Sequence, residues 1–95
     1  FNVYPAEVER ALNELPGIQR SAVVGRAERD GNEEVIAFVE LSPGAALDAK
    51  AAHGHLRERL APYKLPAHIV AMPELPTSPN GKVLKRLLQE RARHL

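Results

Sequence analysis

Lys82 is the residue whose surroundings suggest chemistry. It closes the run Pro76-Thr77-Ser78-Pro79-Asn80-Gly81, too rich in proline and glycine to be an ordinary loop tip, and it directly precedes a segment that reads as a helix. A lysine so placed is a flexible point charge on a long stem, able to reach an anion held by another surface. Loops of this kind carry function more often than their packing demands. The competing reading is a solvated lysine on a turn, which spacing alone favours. The same choice applies to the C-terminal stretch as a whole, where Lys82, Lys85, Arg86, Arg91 and Arg93 stand against Glu90 alone. Such a basic end suits an anion, and it equally suits a solvated helix face.

Other chemistries find no support in the residues. The Pro79-Asn80-Gly81-Lys82 turn is not a P-loop, which needs Gly-x-x-x-x-Gly-Lys-Ser/Thr between a strand and a helix. His53 and His55 fall on different sides of a predicted helix, and no cysteine or clustered carboxylate completes a metal site around them. No serine sits in a nucleophile-elbow pattern. Two phenylalanines and two tyrosines are too few for a platform on which single-stranded nucleic acid could stack.

The elements that must position Lys82 follow from periodicity. Pro5 suits the first turn of a helix, and Glu7 and Glu9 complement its dipole there. Val8, Ala11, Leu12 and Leu15 recur at helical spacing until Pro16-Gly17, which predicts a helix over 5–14. Ile18 to Gly25 and Val35 to Leu41 read as strands joined by the turn Arg29-Asp30-Gly31-Asn32, hence as an antiparallel pair. The second is apolar on both faces and predicts a central strand covered on both sides. Asp48 is a candidate N-cap for a helix running to about Leu60, which Gly54 weakens by ~1 kcal/mol. His68 to Met72 reads as a short strand, Pro76 to Lys82 as an irregular exposed loop, and Leu84, Leu87, Leu88, Ala92 and Leu95 as the stripe of a last, amphipathic helix. The order α-β-β-α-β-α, with a small mixed or antiparallel sheet packed by helices, is an α+β single domain.

Composition agrees with one such unit. The 95 residues are 44% hydrophobic and 26% charged, which suits a globular domain rather than a disordered chain. A chain of this size buries roughly 60–70% of its unfolded surface, enough for one core without staples. The absence of cysteine excludes a disulfide framework and fits a reducing, cytoplasmic compartment. No apolar run approaches the ~18 residues of a membrane span. Net charge is +1, so no bulk field draws the chain to nucleic acid or lipid, yet the charge is divided: residues 1–50 carry net −4 and residues 51–95 net +5.

Three stretches together resemble the C-terminal subdomain of the adenylate-forming enzymes, the AMP-dependent synthetase and ligase superfamily, and most of all acyl-CoA synthetases. They are Phe1-Asn2-Val3-Tyr4-Pro5-Ala6-Glu7-Val8-Glu9, Leu60-Ala61-Pro62-Tyr63-Lys64-Leu65-Pro66, and Leu75-Pro76-Thr77-Ser78-Pro79-Asn80-Gly81-Lys82-Val83. The last is similar to the family's closing Pro-x-x-x-x-Gly-Lys motif. Ala22-Val23-Val24-Gly25 and Val35-Ile36-Ala37-Phe38-Val39 are similar to its strands.

The resemblance implies that residues 1–95 are a swivelling subdomain of a longer chain whose large N-terminal domain and hinge lie outside this sequence. It implies a two-step ligase. A carboxylic acid and ATP give an acyl-adenylate and pyrophosphate, and the thiol of coenzyme A then gives a thioester and AMP. ATP and CoA, with Mg2+, serve the full-length enzyme, and the subdomain alone is expected to bind none of them and to be inactive. Its implied partners are the N-terminal adenylation domain, the acid, ATP and CoA, with no nucleic acid and no membrane span. Lys82 matches the catalytic lysine of adenylation, and the same position resembles a site of regulatory acetylation in the family, a modification that would remove its charge. Pro76, Thr77, Pro79, Asn80 and Gly81 are then the loop that positions it, while Phe1, Asn2 and Val3 border the CoA channel. Tyr63 is expected to pack its loop, and Glu7 and Glu9 to act structurally through capping and the helix dipole. Two alternatives remain: the equivalent part of a peptide-synthetase-type adenylation domain that loads a carrier protein, and a non-enzymatic module that binds through its basic helix.

Overall fold

The computed structural model describes residues 3–28 and 30–95; Phe1, Asn2 and Arg29 lie outside the described residues. The elements are α1 (Pro5–Asn13), β1 (Ile18–Ala27), β2 (Glu33–Leu41), α2 (Ala49–Arg57), a single 3-10 turn (Pro62–Lys64), β3 (His68–Met72) and α3 (Lys85–Ala92). The α-β-β-α-β-α order expected from periodicity is present, with the 3-10 turn as an addition.

β2 is the centre of a three-stranded sheet ordered β1-β2-β3. It pairs antiparallel with β1 and parallel with β3, so the sheet is mixed. Because strand side chains alternate, β2 divides the core in two. Val35, Ala37 and Val39 pack with Val8, Leu12, Val23 and Leu56 beneath α1 and α2. Ile36 and Phe38 pack with Ala22, Val24, Leu75 and Leu88 beneath α3. Both faces of the strand are covered, which is why its sequence is apolar without a break from Val35 to Val39.

Two elements end differently from expectation. α2 begins as predicted, with Asp48 Oδ1 accepting the Ala51 N–H at 3.0 Å, but it stops at Arg57 rather than near Leu60. Pro62 disfavours helical backbone at the residue before it, and Ala61 is extended (φ −61°, ψ 149°). The turn still brings Leu60 into the core, with its N–H donating to the Leu56 carbonyl at 2.9 Å. In α3 only part of the apolar stripe is used. Leu88 and Ala92 are buried, whereas Leu84 (37% exposed) and Leu87 (49%) face outward.

Candidate functional site

The segment 76–82 is not irregular. Thr77 and Val83 pair as an antiparallel bridge. Inside it, the Ser78 N–H donates to the Lys82 carbonyl (2.8 Å) and the Gly81 N–H to the Ser78 carbonyl (2.9 Å). This is a hairpin with the three-residue loop Pro79-Asn80-Gly81. Pro79 supplies the preset φ that the first loop position needs. Gly81 sits at φ +84°, the left-handed region that a three-residue hairpin requires at its last loop position. Ser78 Oγ donates to Asn80 Oδ1 and accepts the Lys82 N–H at 3.2 Å. The Leu84 N–H donates to the Pro76 carbonyl at 2.9 Å and closes the base of the hairpin. Pro76, Thr77, Pro79, Asn80 and Gly81 thus all contribute to one rigid turn.

Lys82 stands at the end of that turn with its side chain exposed. Its backbone is held, but its ammonium has no ion pair or hydrogen bond among the described residues. A stiff base and a free charged tip allow the group to reach an anion presented by another surface. Beside it runs an open groove floored by Ala22, Val83 and Leu87 and edged by Lys85 and Arg86.

The base of the hairpin is tied to the sheet by charged residues that periodicity does not single out. Glu40, 7% exposed, is the one buried charged residue among those described. Its Oε1 accepts the Leu75 N–H at 2.8 Å and the Nε–H of Arg20, its cross-strand partner, at 3.2 Å. Arg20 Nη1 also donates to the Gly81 carbonyl at 3.4 Å. On the other flank, Lys85 Nζ meets Glu9 Oε2 at 2.7 Å, and the same oxygen accepts the Val23 N–H at 2.8 Å. Val23 lies on β1, an edge strand, so Glu9 covers an otherwise open ladder position. A single glutamate inside the apolar run 35–41 was the available signal for Glu40. Nothing local could have marked Arg20.

One structural expectation is revised. Glu9 acts through these tertiary contacts rather than through the helix dipole. Glu7 keeps its expected place in the first turn of α1 and in addition reaches across to Lys64 Nζ at 2.8 Å, a hydrogen bond that holds the Lys64 pKa above the usual lysine range. Tyr63 is 52% exposed, and its ring lies 5.6 Å from the ammonium of Lys64, its neighbour in the same loop.

The predicted CoA-channel residues are placed only in part. Phe1 and Asn2 lie outside the described residues. Val3 packs against the core beneath α1 and α2 and borders Gly25 and Glu33 near the β1–β2 turn, whereas Lys82 borders the groove beside Ala22 and Leu87. His55 is engaged in structure, its Nε2 lying 2.9 Å from the Ala11 carbonyl and 3.0 Å from Glu14 Oε1. Among the described residues no three His, Cys, Asp or Glu side chains gather as a metal would require. No helix among them is long and apolar enough to cross a membrane.

The family model described as the AMP-binding enzyme C-terminal domain matches residues 7–82. The long-chain-fatty-acid–CoA ligase of Bacillus subtilis is 43% identical over 90 residues, covering 95% of this chain and 16% of that protein. The fatty acid–[acyl-carrier-protein] ligase ScoC of Streptomyces coeruleorubidus is 40% identical over 90 residues, covering 95% and 17%. Among solved structures, apo MatB from Rhodopseudomonas palustris superposes with a TM-score of 0.91 at 36% identity, over 98% of this chain and 19% of that one. The chain therefore spans less than a fifth of the length of the proteins it matches.

Proposed function

The chain belongs to the family of AMP-binding enzyme C-terminal domains, and from that premise we propose that it serves as the mobile C-terminal part of an AMP-forming acid–thiol ligase, with Lys82 as its catalytic residue. In the first half-reaction a carboxylate oxygen attacks the α-phosphorus of ATP and pyrophosphate leaves. In the second, the thiol of CoA attacks the acyl carbonyl and AMP leaves. The first step brings two anions together and builds charge between them. An ammonium between the carboxylate and the α-phosphate stabilises that transition state. The observation that carries this reading is the Lys82 ammonium, unpaired among the described residues, on a rigid hairpin at the end of the matched segment.

Two further observations support it. Lys82 and Val3 occupy separate regions of the surface, which suits a domain that presents one region for adenylation and another for thiol transfer. Leu84 and Leu87 leave apolar surface uncovered beside Lys82, where a neighbouring domain of the same chain would dock. The pockets for ATP and the acid belong to that neighbour. Mg2+ finds no fitting set of side chains among the described residues, so no step here passes through it. A reducing, cytoplasmic setting accords with the absence of cysteine.

The test separates the half-reactions in the full-length protein. Lys82→Ala should lower acyl-adenylate formation by about 10²–10³. It should leave thioester formation from a supplied acyl-adenylate near wild type. Equal loss in both steps, or none in the first, would remove Lys82 from this role. The similarity to ScoC favours a second reading of the acceptor alone, a carrier-protein thiol in place of CoA. Supplying each acceptor to the preformed acyl-adenylate distinguishes the two.

A further inference from the structure

We propose that Glu40 and Arg20 are positioning residues for adenylation, fixing the angle at which Lys82 projects; the inference rests on the role of Lys82 given above. The pair is buried only at Glu40, with 36% of the Arg20 side chain exposed, and it adds little stability, because solvent screens one partner and desolvation penalises the other. What it supplies here is geometry. One carboxylate oxygen, Glu40 Oε1, joins β2 to β1 through Arg20 and to the Leu75 N–H, the point where the chain starts towards Lys82. The second arm of the same guanidinium reaches the carbonyl of Gly81, the peptide that leads directly into Lys82. Both ends of the 75–82 segment are therefore referred to a single ion pair.

At the far foot of the hairpin Val83 packs against the core beneath α3 and Lys85 meets Glu9, but these contacts hold the base rather than the tip. Leu75 is buried at its foot, but Pro79, Asn80, Gly81 and Lys82 are all exposed, so no apolar packing restrains the tip. The internal hydrogen bonds make the turn stiff without saying which way it points. Among the described residues, the Arg20–Gly81 hydrogen bond is the one that spans from sheet to tip. Transition-state contacts are sensitive to such placement, and a shift of about 1 Å in a catalytic group costs up to ~10² in rate.

The experiment uses the full-length protein carrying Arg20→Lys, Glu40→Gln, both together, or Lys82→Ala as reference. The acid is whichever of dodecanoate, phenylacetate and benzoate gives the wild type most pyrophosphate release. Arg20→Lys keeps a cation beside Glu40 but loses the second donor arm. Glu40→Gln keeps an oxygen for the Leu75 N–H but loses the charge that holds Arg20. Each should lower kcat for adenylation on the order of tenfold with KM for ATP within about twofold, and leave thioester formation from supplied acyl-adenylate unchanged. The double variant should be no worse than the weaker single, because the two residues act as one device. If Lys82→Ala slows adenylation while Arg20→Lys and Glu40→Gln do not, the positioning inference is overturned and the functional reading stands. Equal loss of both half-reactions in those variants reduces the pair to ordinary structure and overturns it too. If Lys82→Ala leaves adenylation intact, the functional reading itself fails and takes this inference with it.

Discussion

A lysine that acts on a distant anion needs a base that does not bend and a tip that nothing else claims, and among the described residues Lys82 has both. The stiffness depends on Gly81, whose φ of +84° would strain any residue with a Cβ. The space around that position is open, with no atom within 4 Å of an added Cβ, so a substitution there acts through the backbone alone. Gly81→Ala is expected to destabilise the domain by ~1 kcal/mol in a denaturant titration, and to slow adenylation as the turn relaxes. Gly81→Asn should recover part of both losses, since asparagine tolerates that conformation better. The turn that carries Lys82 was legible in the sequence because it is written locally: proline, serine, asparagine and glycine at fixed offsets mark a tight reversal. Glu40 and Arg20 were not legible as partners. They are 20 positions apart and meet only through the register of β1 on β2, which passes a register irregularity between Ile18 and Arg20. A period-2 pattern says which face a residue takes but not whom it opposes.

At the level of elements, β1 straps the α3 segment to the sheet at two points. Arg20 near one end pairs with Glu40 and reaches Gly81; Arg26 near the other pairs with Glu34 at 2.6 Å and donates to the carbonyls of Ala92 and Leu95, each at 3.1 Å. Both arginines face the α3 side with Ala22 and Val24, as strand alternation demands. α2 offers an independent check on local preferences. Gly54 lies mid-helix with nothing within 4 Å of an added Cβ, so Gly54→Ala should stabilise the domain by ~0.5–1 kcal/mol in thermal or denaturant unfolding. The 3-10 turn is joined to α1 by Lys64 and Glu7, with consequences for pH. The folded pKa of Lys64 is raised, so the contribution of this contact is complete below the unfolded value of ~10.4 and is lost as pH climbs through the folded one. Stability should therefore be insensitive to this group at neutral pH and fall on the alkaline side. Lys64→Met should flatten that alkaline fall in a pH series of unfolding midpoints.

For the molecule as a whole, the divided charge of the sequence turns inward. Lys64 pairs with Glu7, Lys85 with Glu9 and Arg59 with Glu14, each joining a cation of the C-terminal half to an acid of the N-terminal half. Arg93 is engaged by Glu90. The basic stretch is thus partly neutralised within the fold, which weakens the rival reading of a basic-helix binding module. The order α-β-β-α-β-α was readable because each element carries its own period and its own stop signal, whereas the parallel pairing of β3 was not, since no local feature specifies it. That pairing has a kinetic consequence. β1 and β2 adjoin through a tight turn, but β3 reaches β2 only after an excursion over residues 42–67, and closing so long a loop costs entropy before any contact rewards it. The hairpin should belong to the folding nucleus and β3 should dock after the rate-limiting barrier. Chevron kinetics would then give Val24→Ala an appreciable φ-value and Val70→Ala one near zero. Until that late docking, Leu75 has no route to Glu40, so the cation at position 82 is aimed among the last events of folding.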